Sequence, residues 1–214
     1  MKLNRLNIAY FVFFFCIILF SCKNEKLPDL ISKSNEVQFF AEGIYNSESL
    51  KIKAGDNKYY MKSNYGLNGN LYVLKSNLEQ YSCDECFNSL EIAISNYQHN
   101  SSIANFNIDS VFWVGKEIPF LYDTFLKPIF KPNFATISVT DQFSNKYYSQ
   151  LYDQEINYLE ITDVSPYMEL NDKGQKTVKV SFHTSCFLKS DDNPLIDTVT
   201  LIGTFAFAYP SKVY

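Results

Sequence analysis

The chain has 214 residues, 46% of them hydrophobic and 20% charged, with a formal net charge of −4 at pH 7. That composition excludes a disordered polyelectrolyte and provides apolar material for a core, while the charges are too well mixed to give nucleic acid a clustered basic face. Nineteen Phe and 16 Tyr against a single Trp make the sequence rich in the aromatics that strands favour.

The first element reads as a leader. Lys2 and Arg5 precede an unbroken hydrophobic run from Ile8 to Phe20, and polar residues from Ser21 to Lys26 surround Cys22 directly after it. A membrane-spanning helix needs about 20 apolar residues to cross about 30 Å of hydrocarbon. The shorter run with its positive start therefore reads as a signal peptide over residues 1–21. Leu19-Phe20-Ser21-Cys22 resembles the lipobox of bacterial lipoproteins, with an aliphatic residue three places before Cys and a small one just before it. Phe20 departs from the smaller residue usual at its place. The resemblance implies a diacylglyceryl group on the sulfur of Cys22, which becomes the N-terminus and partners the membrane through its lipid. Two or three acyl chains, at about 0.8 kcal/mol per buried methylene, anchor a protein where one holds it only marginally. Lys23, where an Asp would favour retention on the inner membrane, resembles the pattern sent on to an outer membrane. Lys23-Asn24-Glu25-Lys26 is similar in part to the export tag of Bacteroidota surface lipoproteins. The expected location is extracytoplasmic, lipid-anchored to the cell envelope at the outer membrane.

Residues 22–35 read as the lipidated N-terminus and a short tether, and 36–214 as a single domain. From Glu36 on, the hydrophobic period is mostly two. Val37 to Phe40, Leu50 to Ala54, Lys58 to Lys62 and Leu71 to Lys75 are short strand-like runs, separated by Gly43, Asn46-Ser47, Gly55-Asp56-Asn57 and the Gly66 to Asn70 turn. Asn88 to Asn96 alternates with Leu90, Ile92 and Ile94 on one side. Glu117 to Asn133 carries Pro119, Pro128 and Pro132 and reads as a crossing loop with one helical turn at most. Phe134 to Thr140 and Tyr147 to Leu151 flank a hairpin turn, Ile156 to Val164 and Lys176 to Leu188 flank Asn171 to Gly174, and Asp197 to Tyr209 forms a long last strand. The expected fold is all-β, an antiparallel β-sandwich.

The run Ala54 to Met61, the Cys83-Asp84-Glu85-Cys86 pair ahead of Ser89 to Ile92, and the ending Phe205 to Pro210 resemble uncharacterised lipoproteins of Bacteroidota. That resemblance implies an envelope compartment and a β-rich fold, without an activity.

Cys16 leaves with the leader, so Cys83, Cys86 and Cys186 remain beside the lipidated Cys22. In an oxidising compartment Cys83 and Cys86 are the disulfide candidates, with pairing to Cys186, a metal role or free thiols as alternatives. Zinc finds no second close ligand pair among His99, His183 and Cys186. On its strand Cys186 points inward and His183 outward, so the two do not form a nucleophile and base. Neither His serves a Gly-x-Ser-x-Gly elbow, so no catalytic set, metal or cofactor is expected. Asp191-Asp192-Asn193 reads as a turn, not a calcium loop. Asp109-Ser110-Val111 and Asp197-Thr198-Val199 are similar to a short O-glycosylation sequon. Tyr59-Tyr60 and Tyr147-Tyr148 each place one ring on either face of a strand, for cross-strand packing or for stacking on a sugar or partner. The expectation is a non-enzymatic module that binds an envelope protein or glycan. The alternatives are a hydrolase of envelope polymers or a structural subunit of an envelope complex.

Overall fold

The computed structural model describes residues 39–68, 71–80, 89–97, 106–120, 133–141, 143–150, 158–167, 169–190 and 196–210, all within the compact unit Lys33–Tyr214. The leader, the tether, Cys22, Cys83, Cys86, His99 and Asp191 to Asn193 lie outside the described residues.

Among the described residues eleven strands follow in order: β1 Phe40–Tyr45, β2 Glu48–Lys53, β3 Tyr59–Asn68, β4 Leu71–Gln80, β5 Ser89–Tyr97, β6 Glu117–Pro119, β7 Asn133–Thr140, β8 Lys146–Gln150, β9 Tyr158–Tyr167, β10 Thr177–Lys189 and β11 Ile196–Ala208. The period of two in the sequence becomes an inner and an outer face. Tyr72, Leu74, Ser76 and Leu78 of β4 are buried while their neighbours are partly exposed. On β10, Val178, Val180, Phe182, Thr184, Cys186 and Leu188 face inward in the same way.

All eleven strands belong to one sheet, with the path β2-β1-β11-β10-β8-β7-β5-β4-β3. Its ladders are antiparallel among the described residues, apart from a single parallel bridge between Phe120 and Ala135. The two end strands of that path, β2 and β3, are consecutive in the chain and joined only by residues 54–58. The sheet must therefore curl until its ends meet. Gly55 N–H donates to Tyr59 O at 2.8 Å within the joining turn, and Ser76 Oγ on β4 donates to Ala206 O on β11 at 2.5 Å. The antiparallel all-β expectation holds, and the sheet is nearly closed, like a barrel, around one core.

One edge of β10 is shared. Thr177 to Thr184 pair with β9, and Phe187 to Lys189 pair with β8, with an irregularity between Ser181 and Phe182 on the β9 side. β9 carries β6 on its far side, and Phe120 then bridges to β7. Glu117 to Pro119 are thus strand where a crossing loop was expected. Pro119 is tolerated because it ends a short strand at the margin of the sheet. The rest of the expected crossing loop, residues 121–132, lies outside the described residues.

Gly43 also departs from expectation, lying inside β1 and not between strands. A Cβ there would stand 1.9 Å from Thr200 O, so only glycine lets β1 lie this close to β11. The β1–β2 hairpin turns at Asn46 and Ser47, both at positive φ (47° and 66°), the pattern of a two-residue primed turn.

Candidate functional site

The sequence singled out Cys22, Cys83 and Cys86, and these fall outside the described residues. Cys186 and His183 are described and sit as their alternation required. Cys186 is a buried free cysteine whose thiol is pushed up to about 12 by burial. His183 is exposed, with Nδ1 3.9 Å from Glu160 Oε2 on β9. A buried protonated thiol and an outward imidazole perform no joint chemistry.

The paired tyrosines split between faces as expected. Tyr59 and Tyr147 are buried, and the ring of Tyr147 meets Tyr45 edge-on at 6.2 Å. Tyr60 donates to Glu79 Oε2 at 2.7 Å, and Tyr148 is 40% exposed beneath the ammonium of Lys146. Ser110 and Thr198 of the two sequon-like triplets are both exposed.

The outer face of β10 and β11 carries hydroxyls in register. Ser181 pairs with Thr204 at 2.9 Å and Ser185 with Thr200 at 3.1 Å, and exposed Ile202 lies between them opposite His183. Further along, Glu117 and Glu160 stand opposite each other on the β6–β9 ladder. Glu117, with a contribution from burial and from Glu160, raises the pKa of the Tyr158 hydroxyl.

Residues 106–116 form a corner in which sequence reasoning singled out only the triplet Asp109-Ser110-Val111. Phe106 packs on Tyr72 and Phe112 on Phe207, and Val111 is buried beside them. A single 3-10 turn, Ile108–Ser110, begins at Asn107, whose side chain accepts from Asp109 N–H at 3.0 Å. The chain then reverses at Trp113-Val114-Gly115-Lys116, where Lys116 N–H donates to Trp113 O and Gly115 takes a φ of 82°. Lys116 extends the β6–β9 ladder by accepting from Ile161 N–H at 2.9 Å. Its side chain is therefore turned inward, where Nζ donates to Ser110 O at 2.8 Å and lies 3.8 Å from the centre of the Trp113 ring. Burial lowers the pKa of Lys116 to about 8. Trp113, with one ring face on the Lys116 ammonium, is 49% exposed and Val114 is 62% exposed. The signal that could have found this corner is the chain's only tryptophan set beside Val-Gly-Lys.

Such an arrangement is suited to recognition. A large aromatic, held in place before any contact, loses little freedom on binding. Among the described residues, no group of three or more His, Cys, Asp or Glu is placed to hold a metal ion. No family model, no curated protein and no solved structure matches the chain.

Proposed function

We propose that the protein is a lipoprotein of the cell envelope, anchored at the outer membrane through lipid on Cys22, with a β-sandwich domain that binds a partner protein or glycan and catalyses no reaction. The observation that carries this reading is the leader, in which Lys2 and Arg5, the run Ile8 to Phe20, and Leu19-Phe20-Ser21-Cys22 occur in the order a lipoprotein signal requires. Opposite walls of the curled sheet serve as the two layers of the sandwich. The large side chains between them, including Phe182, Phe205, Phe207, Leu74 and Ile137, are almost completely buried. With the interior occupied by the chain's own residues, recognition falls to the outer surface, where Trp113 and Val114 are exposed on a turn braced by the Lys116 contacts.

Two measurements test the two parts of this reading. Cys22→Ser is expected to abolish metabolic acyl labelling and to release or misprocess the protein, and unchanged labelling would overturn the anchorage. Trp113→Ala is expected to lose whatever protein or glycan co-purifies with the lipidated chain from its own envelope. Undiminished co-purification, or a shortened envelope polymer in its place, would overturn the assigned binding surface or the non-enzymatic reading respectively.

A further inference from the structure

The outer face of the wall built from β2, β1, β11, β10 and β9 carries its side chains in rows that run across the strands. In the middle row, exposed Ile202 on β11 stands opposite Glu42 on β1 and His183 on β10. Lys51 on β2 follows Glu42, and Glu160 on β9 follows His183, with Glu117 on β6 beyond it. On one side of this row lies Lys53, Phe40, Thr204, Ser181 and Asp163, and on the other Ser49, Ile44, Thr200 and Ser185. Ile44 and Ile202, 55% and 51% exposed, are thus diagonal neighbours near the centre of the face.

The charges of this face separate to its two margins. At the β2 margin Lys51 and Lys53 share the single carboxylate of Glu42, at 3.5 and 3.1 Å, which leaves an excess of positive charge. At the opposite margin Glu117 and Glu160 are like charges set directly across a ladder, with Asp163 one row away, and such a pair costs stability unless a cation offsets it. Lys179 stands beyond the Asp163 row, opposite Ser165, and His183 Nδ1 lies 3.9 Å from Glu160 Oε2.

We propose that this face is where two copies of the chain associate, about a two-fold axis that runs along β11. Rotation about that axis lays the face on its own copy with the strands aligned, one of the two ways in which sheets pack, and carries β2 onto β9. Lys51 then meets Glu160 of the second copy, Lys53 meets Asp163, Glu42 meets His183, and Ile202 meets itself. An axis across the strands would instead set Lys51 on Lys51 and Glu160 on Glu160. The charge pattern therefore selects the occupant and the direction of the axis together. Because the sheet curls, the two surfaces part toward their margins, where the long lysine and glutamate side chains span the gap. Five strands about 4.8 Å apart and three rows about 7 Å apart give a contact of roughly 500 Å² per copy, short of the roughly 800 Å² of a stable pair. The dimer is weak and concentration-dependent, and it needs neither lipid on Cys22 nor Trp113.

Cross-linking across the axis tests the pairing. Thr200→Cys places a thiol on the axis, whereas Ser49→Cys, in the same row, places it two strands away, so that its two copies stand about 20 Å apart. A short, membrane-permeant thiol-to-thiol cross-linker is applied to whole cells making the full-length chain, and adducts absent from the unaltered chain are identified by mass. The expected result is a dimer linked through position 200, with about tenfold less linked through position 49. Adding Lys51→Glu to Thr200→Cys should lower the yield about tenfold, because it sets like charges together on both sides of the axis, and adding Glu160→Lys as well should restore it. Equal linking at the two positions, no dimer at position 200, or no recovery in the doubly exchanged chain overturns the proposal. An adduct of another mass at position 200 puts a different partner on the face and also overturns it. Should Thr200→Cys fail to fold, Thr198→Cys, exposed on the same strand, serves the same comparison.

Discussion

Along β10 from Val178 to Leu188, and along β11 from Thr198 to Ile202, the wall alternates, whereas the Trp113 to Lys116 corner, bonded to β9, inverts the pattern. Val180, Phe182, Leu201 and Phe205 are buried, and Ser185, His183 and Thr200 face solvent. In the corner a buried Lys116 sets its ammonium against one face of the half-exposed Trp113 indole. The ladder is held by burial of apolar area, which is non-directional and tolerant of detail. Specific acceptors hold the corner, namely Ser110 O and the face of an aromatic ring. Stability comes mainly from the first arrangement, and the second maintains an exposed aromatic at some cost to stability, a pattern typical of binding sites.

The contrast is broken most severely from the wall side. Phe205→Ala should destabilise the domain by about 3–5 kcal/mol through lost burial and a residual cavity, read as a lower denaturant midpoint. Gly43→Ala should cost about 1–3 kcal/mol or more, because its methyl group meets the β11 backbone, where no side chain can move aside.

On the corner side the sign is different. Folded Lys116 gives up its proton near pH 8, and the unfolded side chain keeps it to 10.5, the charged form being disfavoured by burial. Between those values the unfolded state binds more protons, so this group makes stability rise with pH. Cys186 opposes it. Its folded pKa is raised from 9.0 to about 12, so the stability it contributes is lost as pH rises through that interval. Lys116→Met should remove the Lys116 contribution, and the difference between unaltered and variant unfolding free energies should shrink from pH 8 upward. The same titration should be visible in the fluorescence of the chain's only tryptophan, since the ammonium lies 3.8 Å from its ring centre. A pH-independent difference would contradict the buried placement of Lys116.

Smaller effects belong to the turns and the outer surface. Asp141→Ala should cost about 1–2 kcal/mol, since two backbone N–H groups lose their acceptor. Lys75→Ala, which removes the ion pair to Glu91 on the outer face of β4 and β5, should change unfolding by about 0.2–1 kcal/mol at low salt and less at high salt.

The strands themselves were legible because one of their faces is buried, and burial imposes the period of two. Lys176 to Leu188 was expected and Thr177–Lys189 is found, and Asp197 to Tyr209 became Ile196–Ala208. The hairpin turn between β7 and β8 was legible from Gln142-Phe143-Ser144-Asn145, though not the exposure of Phe143, which depends on the Asp141 carboxylate locking the turn. What escaped depends on partners distant in sequence. Gly43 reads as a separator until β11 is seen against it. Glu117 to Pro119 read as loop because their ladder to β9 spans some forty positions, and closure of the sheet is carried by residues 54–58, whose Gly55-Asp56-Asn57 reads as an ordinary turn between neighbouring strands. Lys116 gave no signal, since a lone lysine ordinarily lies in solvent.

The mass of the N-terminal peptide of the protein purified from its own cells tests the proposed anchorage at Cys22 most directly. A peptide beginning at Cys22 and carrying diacylglyceryl, with or without a further acyl chain, is the expected result. A peptide beginning at Met1, or an unmodified Cys22 at any position in the chain, would contradict it.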